Sequence, residues 1–205
     1  MEIKTIESKF LKNIFRQNTY VLSNKNEAVI VDAGAELEDV VEAAQGKKVL
    51  AVLITHIHFD HVWNLEKYIE YFDCDVFVVE NQEKRFVDSM LNGGYMMRQN
   101  FVYNIQKNNI KYYAEKLKLG GFEIEVFNTP GHTEDSVCLL VDGNLFSGDT
   151  LFEDCVGRTD LTDGSANNLV LSLQKIKDIK FERLYPGHYE SASNDKAIST
   201  IMFYI

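Results

Sequence analysis

Thr55–His61 reads Thr-His-Ile-His-Phe-Asp-His and follows directly on the apolar run Val49–Ile54. Three imidazoles and a carboxylate in seven residues make poor core material and good metal-ligating material. Composition alone would produce His-x-His-x-Asp-His about 2 × 10⁻⁴ times in a chain of this size. The chain has 5 histidines and 2 prolines. The remaining histidines, His132 and His188, each close a Pro-Gly-His triplet, so every histidine falls in one candidate constellation. Imidazole and carboxylate without thiolate suit zinc, iron or manganese, and lack the usual mark of a structural zinc site.

Such side chains need rigid elements to hold them. Glu2–Ile6, Thr19–Leu22 and Ala28–Val31 read as strands. Asp32-Ala33-Gly34 ends the third, and Glu36–Gln45 reads as a helix closed by Gly46. Val49–Ile54 has the continuous apolarity of a strand covered on both faces. Val62–Phe72 has helical spacing, and Val76–Val79 is a further strand. Glu83–Leu91 looks helical, and Gly93-Gly94 then interrupts. Tyr95–Tyr113, rich in Tyr, Met, Phe and Asn, is either a substrate lid or a helical pair burying its own apolar face. Residues 81–113 thus form a lid-like insertion in one domain spanning residues 1–205. Beyond it lie a strand at Phe122–Phe127 and a hairpin of Ser136–Val141 and Asn144–Ser147 turning at Asp142-Gly143. A helix over Ala166–Ile176, a strand at Phe181–Tyr185 and a helix near Asn194–Ile205 complete the chain. Two halves of similar strand–helix content fit an αβ/βα sandwich.

On this reading His56 and His58 follow one strand, His132 a second, Asp149 a third and His188 a fourth. Ligand sites in open α/β sheets form outside the carboxyl ends of strands. Extended backbone points i and i+2 the same way, so His56 and His58 can hold one ion while Asp60 and His61 turn toward another. Asp60 can also be read as the N-cap of the next helix. Thr55, Thr133 and Asp32 are candidates to fix the imidazole tautomers.

Composition narrows the function classes. The chain is 45% apolar and 25% charged over 205 residues, enough for a well-buried core. A net charge of −10 speaks against nucleic acid as a partner. No apolar run approaches a membrane span, and Met1–Phe10 shows no signal-peptide core. Cys74, Cys138 and Cys155, odd in number and without CxxC, fit a reducing cytoplasm.

The ordered motifs THIHFDH, PGHT (Pro130–Thr133), SGDT (Ser147–Thr150), GRTD (Gly157–Asp160) and PGH (Pro186–His188) resemble the metallo-β-lactamase superfamily. Within it they are most similar to the small single-domain glyoxalase II-like (hydroxyacylglutathione hydrolase-like) branch. The resemblance implies a four-layer αβ/βα sandwich. It assigns His56, His58 and His132 to a first metal and Asp60, His61 and His188 to a second, with Asp149 bridging. It also implies two divalent ions, zinc first with iron or manganese as alternatives, and gives Asp60 and Asp149 catalytic roles. Two ions sharing a solvent molecule would lower its pKa from 15.7 toward about 7 and stabilise the tetrahedral oxyanion. Arg158 matches a lysine that contacts the thiol carrier, and Tyr189 is a further substrate-contact candidate. The pattern departs from the family at Glu134-Asp135, where Pro-Gly is usual.

The implied activity is hydrolysis of a small acyl thioester such as S-lactoylglutathione. A mononuclear-iron persulfide dioxygenase is the alternative from another class, since such enzymes share the motif and a Gly-Arg-Thr-Asp segment. Lactone, β-lactam and phosphodiester hydrolysis are further alternatives on the same fold. Two plainer readings also stand. Arg158 and Asp160 can form an ion pair bracing their loop, and Cys155 can be a small buried hydrophobe.

Overall fold

The computed structural model describes residues 1–9 and 16–205. Phe10, the last residue of the opening stretch considered above, lies outside them. The first half contains β1 (Glu2–Glu7), β2 (Asn18–Ser23), β3 (Glu27–Val31), α1 (Leu37–Ala44), β4 (Lys48–Leu53), α2 (Leu65–Phe72), β5 (Asp75–Val78) and β6 (Ile110–Tyr112). The second contains β7 (Lys116–Leu119), β8 (Phe122–Asn128), β9 (Val137–Val141), β10 (Asn144–Gly148), α3 (Ala166–Lys177), β11 (Arg183–Pro186), β12 (Ala192–Ser193) and α4 (Asn194–Tyr204). Each half builds one six-stranded sheet, ordered β1-β2-β3-β4-β5-β6 and β12-β11-β10-β9-β8-β7.

Strand alternation sorts the apolar side chains into layers. Tyr20, Leu22, Val29, Val31, Ala51 and Leu53 meet Phe122, Ile124, Val137, Leu139 and Phe146 in a core between the sheets. The intervening residues Val21, Ala28, Ile30 and Val52 face outward onto Val40, Ala43, Leu65 and Tyr68 of α1 and α2. Cys138, Leu145 and Leu184 face Leu169, Leu173, Ala197 and Ile201 of α3 and α4. Both faces of each sheet are therefore covered, which explains the unbroken apolar run at Val49–Ile54. The result is the four-layer αβ/βα sandwich.

Three expectations change. The helix foreseen from Val62 begins at Leu65, because residues 54–64 wrap around the candidate ligands. Glu83–Leu91 is not an α-helix; a 3₁₀ turn at Glu83–Phe86 ends where the Asn92 side chain takes the Arg85 carbonyl. Nor does Tyr95–Tyr113 form a helical pair, since it holds 3₁₀ turns at Gly94–Met97 and Lys107–Asn109 before β6. Of residues 81–113, Phe86 and Tyr103 are buried against the α1–α2 side of the first sheet. Among the described residues no helix is long and apolar enough to cross a membrane.

Candidate metal centre

The parallel pairs β3–β4 and β10–β11 put the carboxyl ends of their strands at one rim. Val137 N donates to Thr55 O at 2.9 Å and Asn18 N to Gly187 O at 2.7 Å, so backbone hydrogen bonds join the two sheets there. His56, His58, Asp60 and His61 lie in the loop after β4, His132 after β8, Asp149 after β10 and His188 after β11. All seven are brought together. Gly187 permits the approach: a Cβ there would stand 2.3 Å from Asp149 Oδ1 and 2.6 Å from His61 Cε1. Asp60 caps no helix, since Asn64 precedes α2.

Two donor groups emerge. His58 Nδ1 lies 3.1 Å from His56 Nε2 and 3.0 Å from His132 Nε2. An ion about 2.0–2.1 Å from two imidazole nitrogens at the tetrahedral angle would hold them roughly 3.3–3.4 Å apart, so this trio has near-ligating spacing. The second group places His188 Nε2 3.2 Å and His61 Nε2 3.9 Å from Asp60 Oδ2. Asp149 faces both groups: Oδ1 is 3.3 Å from His61 Nε2, and Oδ2 is 3.6 Å from His132 Nε2 and 3.4 Å from His188 Nε2. His56, His61 and Asp149 also converge. Among the described residues, His61 Nε2 and Asp149 Oδ1 are buried polar atoms with no hydrogen-bond partner. Buried polar atoms normally have one, and a cation between them would satisfy both. The residues fit divalent metal.

The opposite nitrogens fix the tautomers. His132 Nδ1 donates to Arg158 O at 2.8 Å and His188 Nδ1 to Arg16 O at 3.0 Å; a carbonyl only accepts, so in the neutral form of each ring Nε2 carries the lone pair. His61 Nδ1 donates to Asp32 Oδ2 at 2.8 Å. Asp32, held at φ 59°, also receives the Thr55 amide at 2.8 Å and the Thr55 hydroxyl at 2.8 Å. With its proton spent on Asp32, Thr55 Oγ1 is the acceptor for His56 Nδ1 at 3.2 Å. Asp32 and Thr55 thus act as expected of tautomer-fixing groups. Thr133 does not: its hydroxyl bonds Ser136 Oγ at 2.7 Å.

Electrostatics divides the groups. Burial and neighbouring imidazoles push His56 well below its ordinary pKa and His58 down to about 3, keeping both neutral as ligation requires. Burial opposes the charge on Asp60, but His61 and His188 outweigh it and hold the carboxyl at about 2. Burial likewise opposes charge on His188, yet Asp149 and Asp60 raise it to about 10, and His61 is also raised. The carboxylates attract positive charge, which protons supply unless a metal replaces them.

The family model described as "Metallo-beta-lactamase superfamily" matches residues 13–188. The chain belongs to that superfamily. It is 34% identical over 162 residues to "Probable metallo-hydrolase YqgX" of Bacillus subtilis (strain 168), covering 77% of each chain. It resembles the BLEG-1 B3 metallo-beta-lactamase crystal structure with a TM-score of 0.89 at 28% identity, covering 99% of both chains. It also resembles TTHA1623, solved in a di-iron-bound form, with a TM-score of 0.79 at 27% identity over 93% of this chain and 96% of that one.

In this member of the superfamily the two groups open into a cleft of about 670 Å³. Its apolar wall includes Phe59, Met96, Phe152, Val156 and Leu161. Arg158 and Tyr189 line it, as does Arg16, which sequence reasoning missed because no motif surrounds it. The Arg158 guanidinium binds Asp160 through two contacts of 2.7 and 2.8 Å while its carbonyl holds His132. The ion pair therefore exists at the cleft rim. Tyr189, at φ 66° and 64% exposed, stands edge-on to Phe152. Cys155 also lines the cleft, and partial burial raises its thiol pKa, which disfavours the thiolate. A hollow of about 810 Å³ along β7 and β8 contains none of these donors.

Proposed function

We propose that this chain is a dinuclear metallohydrolase cleaving a small acyl thioester. The observation that carries the reading is the meeting of seven ligating side chains from four strand ends, with His61 Nε2 and Asp149 Oδ1 left unpartnered between them. His56, His58 and His132 would hold one ion and Asp60, His61 and His188 the other, with Asp149 reaching both. Such ions supply Lewis acidity, lowering the pKa of bound water from 15.7 to about 7 and polarising a carbonyl.

The protein's own groups would do the rest. Asp60, kept ionised by His61 and His188, is placed to orient an attacking water by accepting its hydrogen bond at Oδ2. The cleft wall of Phe59, Met96 and Phe152 offers apolar contact suited to a small acyl group. Arg16 and Arg158 at the rim suit a carrier bearing carboxylates. A thiolate, whose acid has a pKa of about 8.5, leaves without a general acid. The likeness to BLEG-1 favours β-lactam hydrolysis as a second reading.

The test is to load purified protein with zinc, iron or manganese and assay S-lactoylglutathione, other acyl thioesters and β-lactams. Metal-dependent thioester turnover well above lactam turnover supports the first reading. Lactam turnover with inert thioesters supports the second.

A further inference from the structure

Among the described residues Arg85 is the largest fully buried side chain, and it lies in the segment 81–113 rather than in the cleft lining. Its Nε donates to Gln82 Oε1 at 2.8 Å, and its Nη2 pairs with Asp163 Oδ2. The Nε also stands 3.2 Å from Asp135 Oδ1. The other Asp135 oxygen accepts the Ile57 amide at 2.8 Å. Ile57 separates His56 from His58.

The far side of His58 is held from the same segment. The Phe59 amide donates to Asn92 O at 2.8 Å, and Asn92 Nδ2 donates to Arg85 O at 3.0 Å. The Tyr103 hydroxyl donates to Phe59 O at 3.1 Å. The His56–Ile57 and His58–Phe59 peptide groups therefore each lead back, within two contacts, to Arg85.

A buried guanidinium is seldom the most stabilising choice, since apolar residues of similar volume commonly do as well or better. Its planar fork instead fixes several acceptors in direction at once. Here the fork reaches Asp135, whose other oxygen holds the Ile57 amide, and through Nη1 the Leu91 carbonyl at 3.3 Å, next to Asn92. His58 alone among the ligating histidines presents Nδ1, the ring nitrogen nearer the backbone, so peptide orientation controls that donor most directly. Asp135 also occupies the Glu134-Asp135 departure from the family pattern.

We infer that Arg85, acting through Asp135 and through the Leu91 carbonyl beside Asn92, is a positioning group that sets the direction of His58 Nδ1 and with it the metal affinity of the His56–His58–His132 trio. This rests on the metal reading above. Arg85→Gln and the near-isosteric Asp135→Asn are purified, confirmed folded by circular dichroism, and titrated with zinc against a chelating dye. Cobalt-substituted protein is compared by visible absorption. The expected result is a zinc affinity lowered tenfold or more, in the range for groups that orient ligands, with a changed cobalt spectrum. Wild-type affinity and spectrum in either folded variant overturns the inference, as does lowered thermal stability with unchanged affinity.

Wild-type protein gives a reading that does not depend on the variants folding. Zinc should slow hydrogen exchange in the peptide covering 82–92 as well as in 55–60. Protection confined to 55–60 overturns the inference. Wild-type chain that binds no zinc counts against the metal centre itself, which separates the two failures.

Discussion

Asp149 faces both donor groups, Oδ1 toward His61 and Oδ2 toward both His132 and His188, so a single substitution there touches both. Asp149→Ala, and likewise His58→Ala, should strip bound metal at least tenfold and bring hydrolysis to background; elemental analysis beside an activity assay checks both. Full activity with metal intact in either variant refutes the ligand assignment. Asp32→Ala removes the acceptor of His61 Nδ1 and should weaken metal affinity by about 10–100-fold without touching a ligand. Protonation gives a sign that can be worked out. In metal-free protein His188 is raised to about 10 and His61 is also raised, so ions must displace protons and bind more tightly as pH rises. Titration calorimetry in buffers of different ionisation enthalpy should therefore show proton release. A folded-state pKa above the unfolded value stabilises fully below about 6.5. That contribution from His188 is lost toward pH 10 in stripped protein. The ligands were legible in the sequence because their residue types are rare and their motifs compact. Arg85 and Arg16 were not, because an arginine in a polar stretch looks the same whether it is buried, lining a cleft or solvated.

Elements were legible where packing dictates pattern. Lys48–Leu53 is covered on both faces and Phe122–Asn128 mainly on one, and their apolar side chains announce it, as a continuous run in the first and by alternation in the second. Ile110–Tyr112, Lys116–Leu119 and Ala192–Ser193 are short, half-exposed strands at or near sheet edges, where mixed polarity leaves little signal. Residues 54–64 read as partly helical because Val62, Leu65 and Ile69 keep helical spacing, but the loop serves the ligands until Leu65. The segment 81–113 reaches the cleft through Met96 and also braces Phe59 through Asn92 and Tyr103. From the sequence, deleting Gly93–Asn109 is expected to act on substrate affinity more than on metal content. The geometry reverses that order: the deletion takes away Tyr103 and the Phe101 ring stacked on Phe59. Metal content should fall with it, as measured by elemental analysis. Gly187→Ala belongs at this scale too, since the added Cβ would meet Asp149 and His61. It should abolish metal binding while far-ultraviolet circular dichroism stays native-like.

Across the whole molecule, the two sheets meet at a rim where the ligands of both halves share their ions, so metal should fasten one half to the other. An ion at a thousand times its dissociation constant adds about 4 kcal/mol to stability. For a chain of this size that corresponds to a rise in Tm of roughly 8–16 °C, readable by scanning calorimetry with and without chelator. The two-layered repetition of strands and helices was legible as a fold class, whereas the meeting of the halves at one rim came from the ordered motifs rather than from periodicity. The net charge of −10 points the same way, because bound cations would offset part of it. The most direct measurement is the divalent metal content of wild-type protein after loading and desalting. The account predicts two ions per chain, falling together in Asp149→Ala. A wild-type chain that retains no ion after exposure to excess zinc, iron and manganese would contradict it.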